Sequence, residues 1–231
     1  MAFGLFIDRG HSEPYDGSSS ALPAPPAPVD RRLIPLLAWF AVLLALSFLG
    51  PADRLTWALE VAPIVLATPI LLASARRFPL TSLLLVLFGI HATILALGGA
   101  YTYAEVPLGD WVRDAFDLAR NPYDRLGHLA QGFVPALLAR EILLRTSPLR
   151  PGRWLFTIAT ALALSFSVFY EFIEWWTAVL TGEAAEAFLG TQGDPWDTQW
   201  DMFCALLGAI CAQLLLARIQ DRQLARMGVL E

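Results

Sequence analysis

Two stretches of the chain open with the same set of chemically capable residues. Asn121-Pro122-Tyr123-Asp124-Arg125-Leu126-Gly127-His128 and Asp194-Pro195-Trp196-Asp197-Thr198-Gln199-Trp200-Asp201 align position for position: cap, proline, aromatic, aspartate, and a second polar ligand type four residues on. Asn or Asp as cap, Pro at the first helical position and an acid in the first turn are good helix-start chemistry. They do not require a second ionisable group, His128 or Asp201, one turn further in on the same face. A third stretch carries Ser167, Glu171 and Glu174, whose spacings of four and three also share one helical face, with Tyr170 beside them. Five carboxylates and one imidazole on three helices suit oxygen-rich ligation of Mg²⁺ or Mn²⁺, and His128 with two carboxylates suits Zn²⁺.

The elements that hold these residues are apolar. Of the 231 residues 56% are hydrophobic and only 16% charged, with mean hydropathy +0.54, whereas ordinary soluble domains carry roughly 25% charge. Apolar runs recur at Leu33–Gly50, Leu55–Ala75, Leu80–Ala100, Pro122–Leu144, Trp154–Leu180 and Pro195–Ala217. Each approaches the ~20 residues that cross a ~30 Å hydrocarbon core as helix. The expected fold is an all-α polytopic membrane helix bundle of about six transmembrane helices. Residues 1–32, rich in Pro and Ser, read as a disordered cytoplasmic tail, 33–217 as the membrane domain and 218–231 as a short cytoplasmic C-terminal tail.

All sixteen basic residues are arginine. With the N-terminus inside, twelve fall in inner segments and four (Arg54, Arg113, Arg120, Arg125) in outer ones, so the positive-inside rule places both termini in the cytoplasm. The net charge of −5 speaks against a nucleic-acid-binding surface. Cys204 and Cys211 lie on one expected helix about 10 Å apart and cannot bridge without breaking it.

In that topology Glu171 sits about 25 Å along its helix from Trp154, a few ångströms below the outer boundary, and His128 and Asp201 enter from outside to a similar depth. Asp124, His128, Glu171, Glu174, Asp197 and Asp201 can therefore meet. So many carboxylates in a low-dielectric site require bound protons, Arg125 or a metal ion to neutralise them. Gln131 continues the Asp124–His128 stripe, and Asp201, Cys204 or Ala205, Gly208 and Ala212 form a small-residue stripe suited to close helix packing. Glu60, near the outer end of the second span, reads equally well as an acid that reaches the interface and as one that does chemistry, whereas His91, mid-way along the third, reads as hydrogen-bonded to a neighbour rather than functional.

At these positions the chain resembles the YjdF-like family of bacterial inner-membrane proteins, whose biochemical function is unassigned. The residues that carry the resemblance are Asn121–His128 with Gln131-Gly132, Tyr170-Glu171-Phe172-Ile173-Glu174-Trp175-Trp176, and Gly193–Met202 with Gly208, within a match spanning about Leu33 to Ala217. More loosely it is similar to VanZ-like proteins, associated with teicoplanin resistance, which show Asp-Lys-x-x-His, Glu-x-x-Gln and Asp-x-x-x-Asn with a later glycine. Here those positions read Asp124-Arg125-x-x-His128, Glu171-x-x-Glu174 and Asp197-x-x-x-Asp201 with Gly208, a more acidic set. The resemblance implies the same three helices and an inner-membrane location, and supplies no reaction.

Two functional expectations follow. In one, a membrane-embedded metal-dependent enzyme acts on a lipid or polyprenyl headgroup. Glu171, Glu174, Asp197 and Asp201 are then metal ligands, and His128 is ligand or general base polarised by Asp124. No nucleophile elbow, phosphate loop or HExxH helix accompanies them. In the other, the same carboxylates bind a cation, protons or a solute in a non-catalytic binding or transport protein, or serve packing in an envelope assembly factor.

Overall fold

The computed structural model describes residues 30–182 and 186–230. The expected N-terminal tail falls almost wholly outside that set. Among the described residues every regular element is helical: α1 (Leu33–Phe48), α2 (Arg54–Ser74), α3 (Ser82–Tyr101), a 3₁₀ turn (Tyr103–Glu105), α4 (Pro107–Phe116), α5 (Tyr123–Thr146), α6 (Arg153–Thr181), α7 (Glu186–Leu189) and α8 (Asp197–Arg226). The six expected spans correspond to α1, α2, α3, α5, α6 and α8.

Of these, α2, α3, α6 and α8 are long and apolar enough to cross a membrane. Helix α1 is apolar but only 16 residues long, and α5, at 24 residues, is interrupted by Asp124, Arg125, Arg140, Glu141 and Arg145. The chain is a helical membrane bundle. Its outward surface agrees: Leu66, Ile70, Val86, Phe169, Trp175 and Leu214 are all exposed, a pattern that requires lipid rather than water around it.

Helix α5 is the axis. It packs against α8 along its length, against α6 on one flank and α3 on the other, while α1 and α2 close over α3. Contact between α5 and α8 is backbone on backbone. A Cβ on Gly132 would fall 1.8 Å from the Ala205 carbonyl oxygen, and one on Gly208 would fall 2.0 Å from that of Leu129. The two helices run in the same direction, and the small-residue stripe of α8 (Ala205, Gly208, Ala209, Ala212) is wholly buried against α5 and α6.

The ends of the bundle are pinned by polar groups that the low-dielectric interior obliges to pair. At one end the buried Glu141 carboxylate accepts from Thr81 N at 3.1 Å, Thr81 Oγ1 at 2.7 Å, Gln220 Nε2 at 3.3 Å and Arg145 Nη1 at 3.3 Å. Thr81 in turn caps α3, so one acid ties the start of α3 to α5 and α8. Helix α8 continues to Arg226, nine residues past the expected membrane boundary, because Gln220 and Leu224 are still buried there.

At the other end lies an element the apolar pattern does not reveal. Helix α4 is short and amphipathic, with Leu108, Trp111 and Phe116 exposed on one side and Asp110, Arg113 and Asp114 on the other, as expected of a helix lying in an interface. The Asn121 amide holds it by donating to Val106 O and Asp110 Oδ1, both at 3.0 Å.

Candidate functional site

The paired helix openings form as one local device. In each, the residue before proline folds its side chain back onto the backbone N–H two residues on: Tyr123 N donates to Asn121 Oδ1 at 3.0 Å, and Trp196 N donates to Asp194 Oδ1 at 2.9 Å. The regular helices begin one and two residues after their prolines, at Tyr123 and Asp197, so Asn121 and Asp194 cap from just outside. Asp124 and Asp197 then occupy first turns, with His128 and Asp201 one turn deeper.

Arg120 joins the two openings. Its guanidinium donates to Asp197 Oδ1, to Asp124 Oδ2 at 3.3 Å and to the carbonyl oxygens of Gly190 and Thr191 at 3.1 and 3.2 Å, with Asp194 at 3.7 Å. Arg125 adds a second bridge, 2.9 Å from Asp194 and 3.6 Å from both Asp197 and Asp201, with its guanidinium 5.2 Å from the centre of the Trp200 ring. A reciprocal amide pair between Asn121 and Gln192 completes the clasp, at 2.9 and 3.0 Å.

Asp194 lies in the loop outside the helices. The backbone N–H of Trp196, and then the Arg125 guanidinium, hold its carboxyl below the usual 3.8. A group depressed in the folded state contributes stability that is full at neutral pH and lost as pH falls through the folded value. Amide exchange of residues 190–196, corrected for intrinsic rates, is therefore expected to be slower in wild type than in Asp194→Asn at pH 7. Acidification through the folded value, which lies below 3.8, should erase that difference; a gap that persists once the carboxyl is protonated would show that the tether is not ionic.

Below this clasp the site divides around His128, which is buried, with 4% of its surface exposed. On its Nε2 side stand Asp124 at 3.5 Å and Asp201 at 4.0 Å; on its Nδ1 side Glu171 stands at 3.7 Å. Ligand atoms of Asp124, His128 and Asp201 lie within 4.8 Å of one another, and so do those of His128, Glu171 and Glu174. The two triads share the imidazole and differ in electrostatics. Both aspartates have arginine partners, whereas no arginine pairs with Glu171 or Glu174 among the described residues, His128 being the one basic group beside Glu171. His128 Nδ1, Glu171 Oε1, Asp201 Oδ1 and Ser167 Oγ are buried without a hydrogen-bond partner, an arrangement that native interiors seldom leave unfilled.

The structure thus brings together Asp124, His128, Glu171, Glu174 and Asp201 from the three expected helices. Asp197 is set apart: its carboxylate is engaged by Arg120 and Arg125 and belongs to neither triad. Gln131 is buried one turn below His128, and Gly208 provides the close approach of α8 to α5. Glu60, equivocal as a sequence feature, is 3% exposed and accepts from Tyr170 Oη at 3.1 Å, which adds α2 to the polar cluster. His91 takes no part in the cluster.

Sequence reasoning missed Arg120 as a site residue. The signal was its spacing of four from Asp124, but Pro122 lies between them and the helix begins only at Tyr123, so helical periodicity did not apply.

Residues 33–222 match the family model described as "Predicted membrane protein (DUF2238)". The chain is 51% identical over 207 residues to "Inner membrane protein YjdF" of Escherichia coli (strain K12), a match covering 87% of this chain and 99% of that protein. No solved structure matches. The sequence match over nearly the whole length, together with the lipid-facing helices, places the protein in the inner membrane with several passes, and the chain belongs to the DUF2238 family of membrane proteins.

Proposed function

We propose that this protein binds a divalent cation, Mg²⁺, Mn²⁺ or Zn²⁺, through His128 Nδ1, Glu171 and Glu174, in a site reached from the extracytoplasmic leaflet. The observation that carries this reading is the pair of buried, unpartnered atoms His128 Nδ1 and Glu171 Oε1, 3.7 Å apart, beside a second glutamate with no counter-charge. A cation between them would give each its missing partner. Asp124 and Asp201 then take the outer position: the Nε2–H of His128 faces them, an orientation that leaves Nδ1 free to ligate and makes the imidazole a better donor. Asp197 serves to hold Arg120 rather than the metal.

The topology that accompanies this reading has α1, α2, α3, α5, α6 and α8 as six crossings, the termini in the cytoplasm, and residues 1–32 and 218–231 as tails on either side of the membrane domain. The arginine distribution supports it.

A second reading, chemistry on a lipid or polyprenyl headgroup, is favoured by one observation. Trp196, Gln199, Trp200 and Phe203 line an outward groove of about 470 Å³ on α8, with Arg125 over Trp200. A phosphate would meet net negative charge in the bare cluster, so this chemistry depends on the cation being bound, which would activate a water molecule or polarise the headgroup.

The test is metal content of the detergent-purified protein after supplementation with each cation, wild type beside Glu171→Gln and Glu174→Gln. About one equivalent in wild type, falling at least tenfold in either variant at unchanged thermal stability, is the expected result. Metal-free wild type, or variants that keep their metal, would exclude the site.

A further inference from the structure

The opposite end of the bundle carries a cavity that the cation site does not use. It measures about 440 Å³ and lies between α5, the start of α6 and α8, lined by Arg140, Gly152, Arg153, Phe156, Gln213 and Asp221 among others. Helix α6 begins here with no side-chain cap on Gly152, so the N–H groups of its first turn, at the head of a 29-residue helix, have no intrahelical acceptor. Arg140 is 4% exposed and engaged, donating to Gln220 Oε1 at 3.0 Å and 2.6 Å from Asp221, so those two charges cancel. Arg153 has no ion-pair partner among the described residues, which leaves one positive charge and a helix dipole at the rim.

Deeper in, Gln213 is 4% exposed. Its amide donates to Phe156 O, Thr160 Oγ1 and Ala209 O, while its Oε1 is buried and receives nothing. An acceptor without a donor, inward of a site rich in donors, asks for a ligand that is anionic at one end and hydroxylic at the other.

We infer that this cavity binds the headgroup of an anionic, hydroxyl-bearing glycerophospholipid of the phosphatidylglycerol type. Its phosphate sits against Arg153 and the first turn of α6, and a headgroup hydroxyl donates to Gln213 Oε1. The location favours a lipid over a soluble anion: Arg153 is followed directly by the exposed Trp154, an aromatic at the point where a long apolar helix enters the membrane. Basic pockets between membrane helices at headgroup depth are suited to such lipids. The inference is independent of the cation site.

The experiment follows thermal unfolding of the full chain in neutral detergent by tryptophan fluorescence. The additions are phosphatidylglycerol, phosphatidic acid, phosphatidylcholine and inorganic phosphate, each titrated separately. Phosphatidylglycerol is expected to raise Tm at the lowest concentration, phosphatidic acid at a higher one, and phosphatidylcholine and inorganic phosphate not at all. Arg153→Gln, at an exposed position that leaves the core intact, should weaken the phosphatidylglycerol effect about tenfold. Gln213→Met, which keeps the volume and removes the acceptor, should abolish the preference over phosphatidic acid. Equal responses to phosphatidylglycerol and phosphatidylcholine, or an Arg153→Gln protein with unchanged response, would overturn the inference. A response to inorganic phosphate matching that to the lipid would also overturn it, in favour of a soluble anion.

Discussion

Alanine at Gly132 or Gly208 is expected to destabilise the bundle by about 3 kcal/mol, the upper range for overpacking, because the obstacle at each position is backbone. The added Cβ would meet the carbonyl of Ala205 at 1.8 Å or that of Leu129 at 2.0 Å, and neither can swing aside as a side chain would. The only relief is separation of α5 from α8, and that separation also pulls Asp201 away from His128. Gly89→Ala is the control, since its Cβ would meet only the Leu36 and Trp39 side chains at 3.6 and 3.8 Å; it should leave Tm unchanged. The double variant Gly132→Ala, Gly208→Ala should cost less than the sum, because one separation relieves both clashes. Thermal unfolding in detergent decides: wild-type stability in either single variant would show that the two helices are not in backbone contact.

The second large effect is expected at Arg120. Replacement by Gln leaves Asp124 and Asp197, both more than nine-tenths buried, without their principal counter-charge, and frees the Gly190 and Thr191 carbonyls that tether the preceding loop. Breaking a buried pair by removing one partner costs about 3–5 kcal/mol, and the 16% exposure of the Arg120 side chain places this case near the lower figure. Asp197→Asn in the same protein should restore a large part of the loss, because an amide needs no counter-charge. Arg120→Lys should fall between, since a single ammonium cannot reach two carboxylates and two carbonyls at once. If Asp197→Asn gives no rescue, Arg120 acts by packing and the charge argument fails.

These two predictions mark the line between what the residues along the chain reveal and what their assembly adds. The helices themselves were legible, because apolar runs of membrane-crossing length and paired cap-proline-acid openings are local signals. So was the grouping of Asp124 with His128, of Glu171 with Glu174 and Ser167, and of Asp201 with Gly208, because each group lies within one helix, where a spacing of three, four or seven fixes a common face. The small-residue stripe of α8 announced close packing for the same reason, though not which helix would fill it. Helix α4 escaped notice because its apolar positions are too few and too short to read as a span.

The partners across the bundle are another matter. Asp197 and Asp201 are equivalent by spacing, yet one is claimed by Arg120 and the other faces His128, and Glu60 reaches Tyr170 from a residue 110 positions away. Such pairings depend on the rotational phase of each helix about its axis and on the path of the intervening loops, neither of which periodicity within one element constrains. The sequence by itself determined a membrane bundle with acids on three helix faces at one depth. Only the tertiary structure decided which acids are paired with arginine and which have no arginine beside them, because a charge in a low-dielectric interior is settled by the few groups within about 4 Å of it.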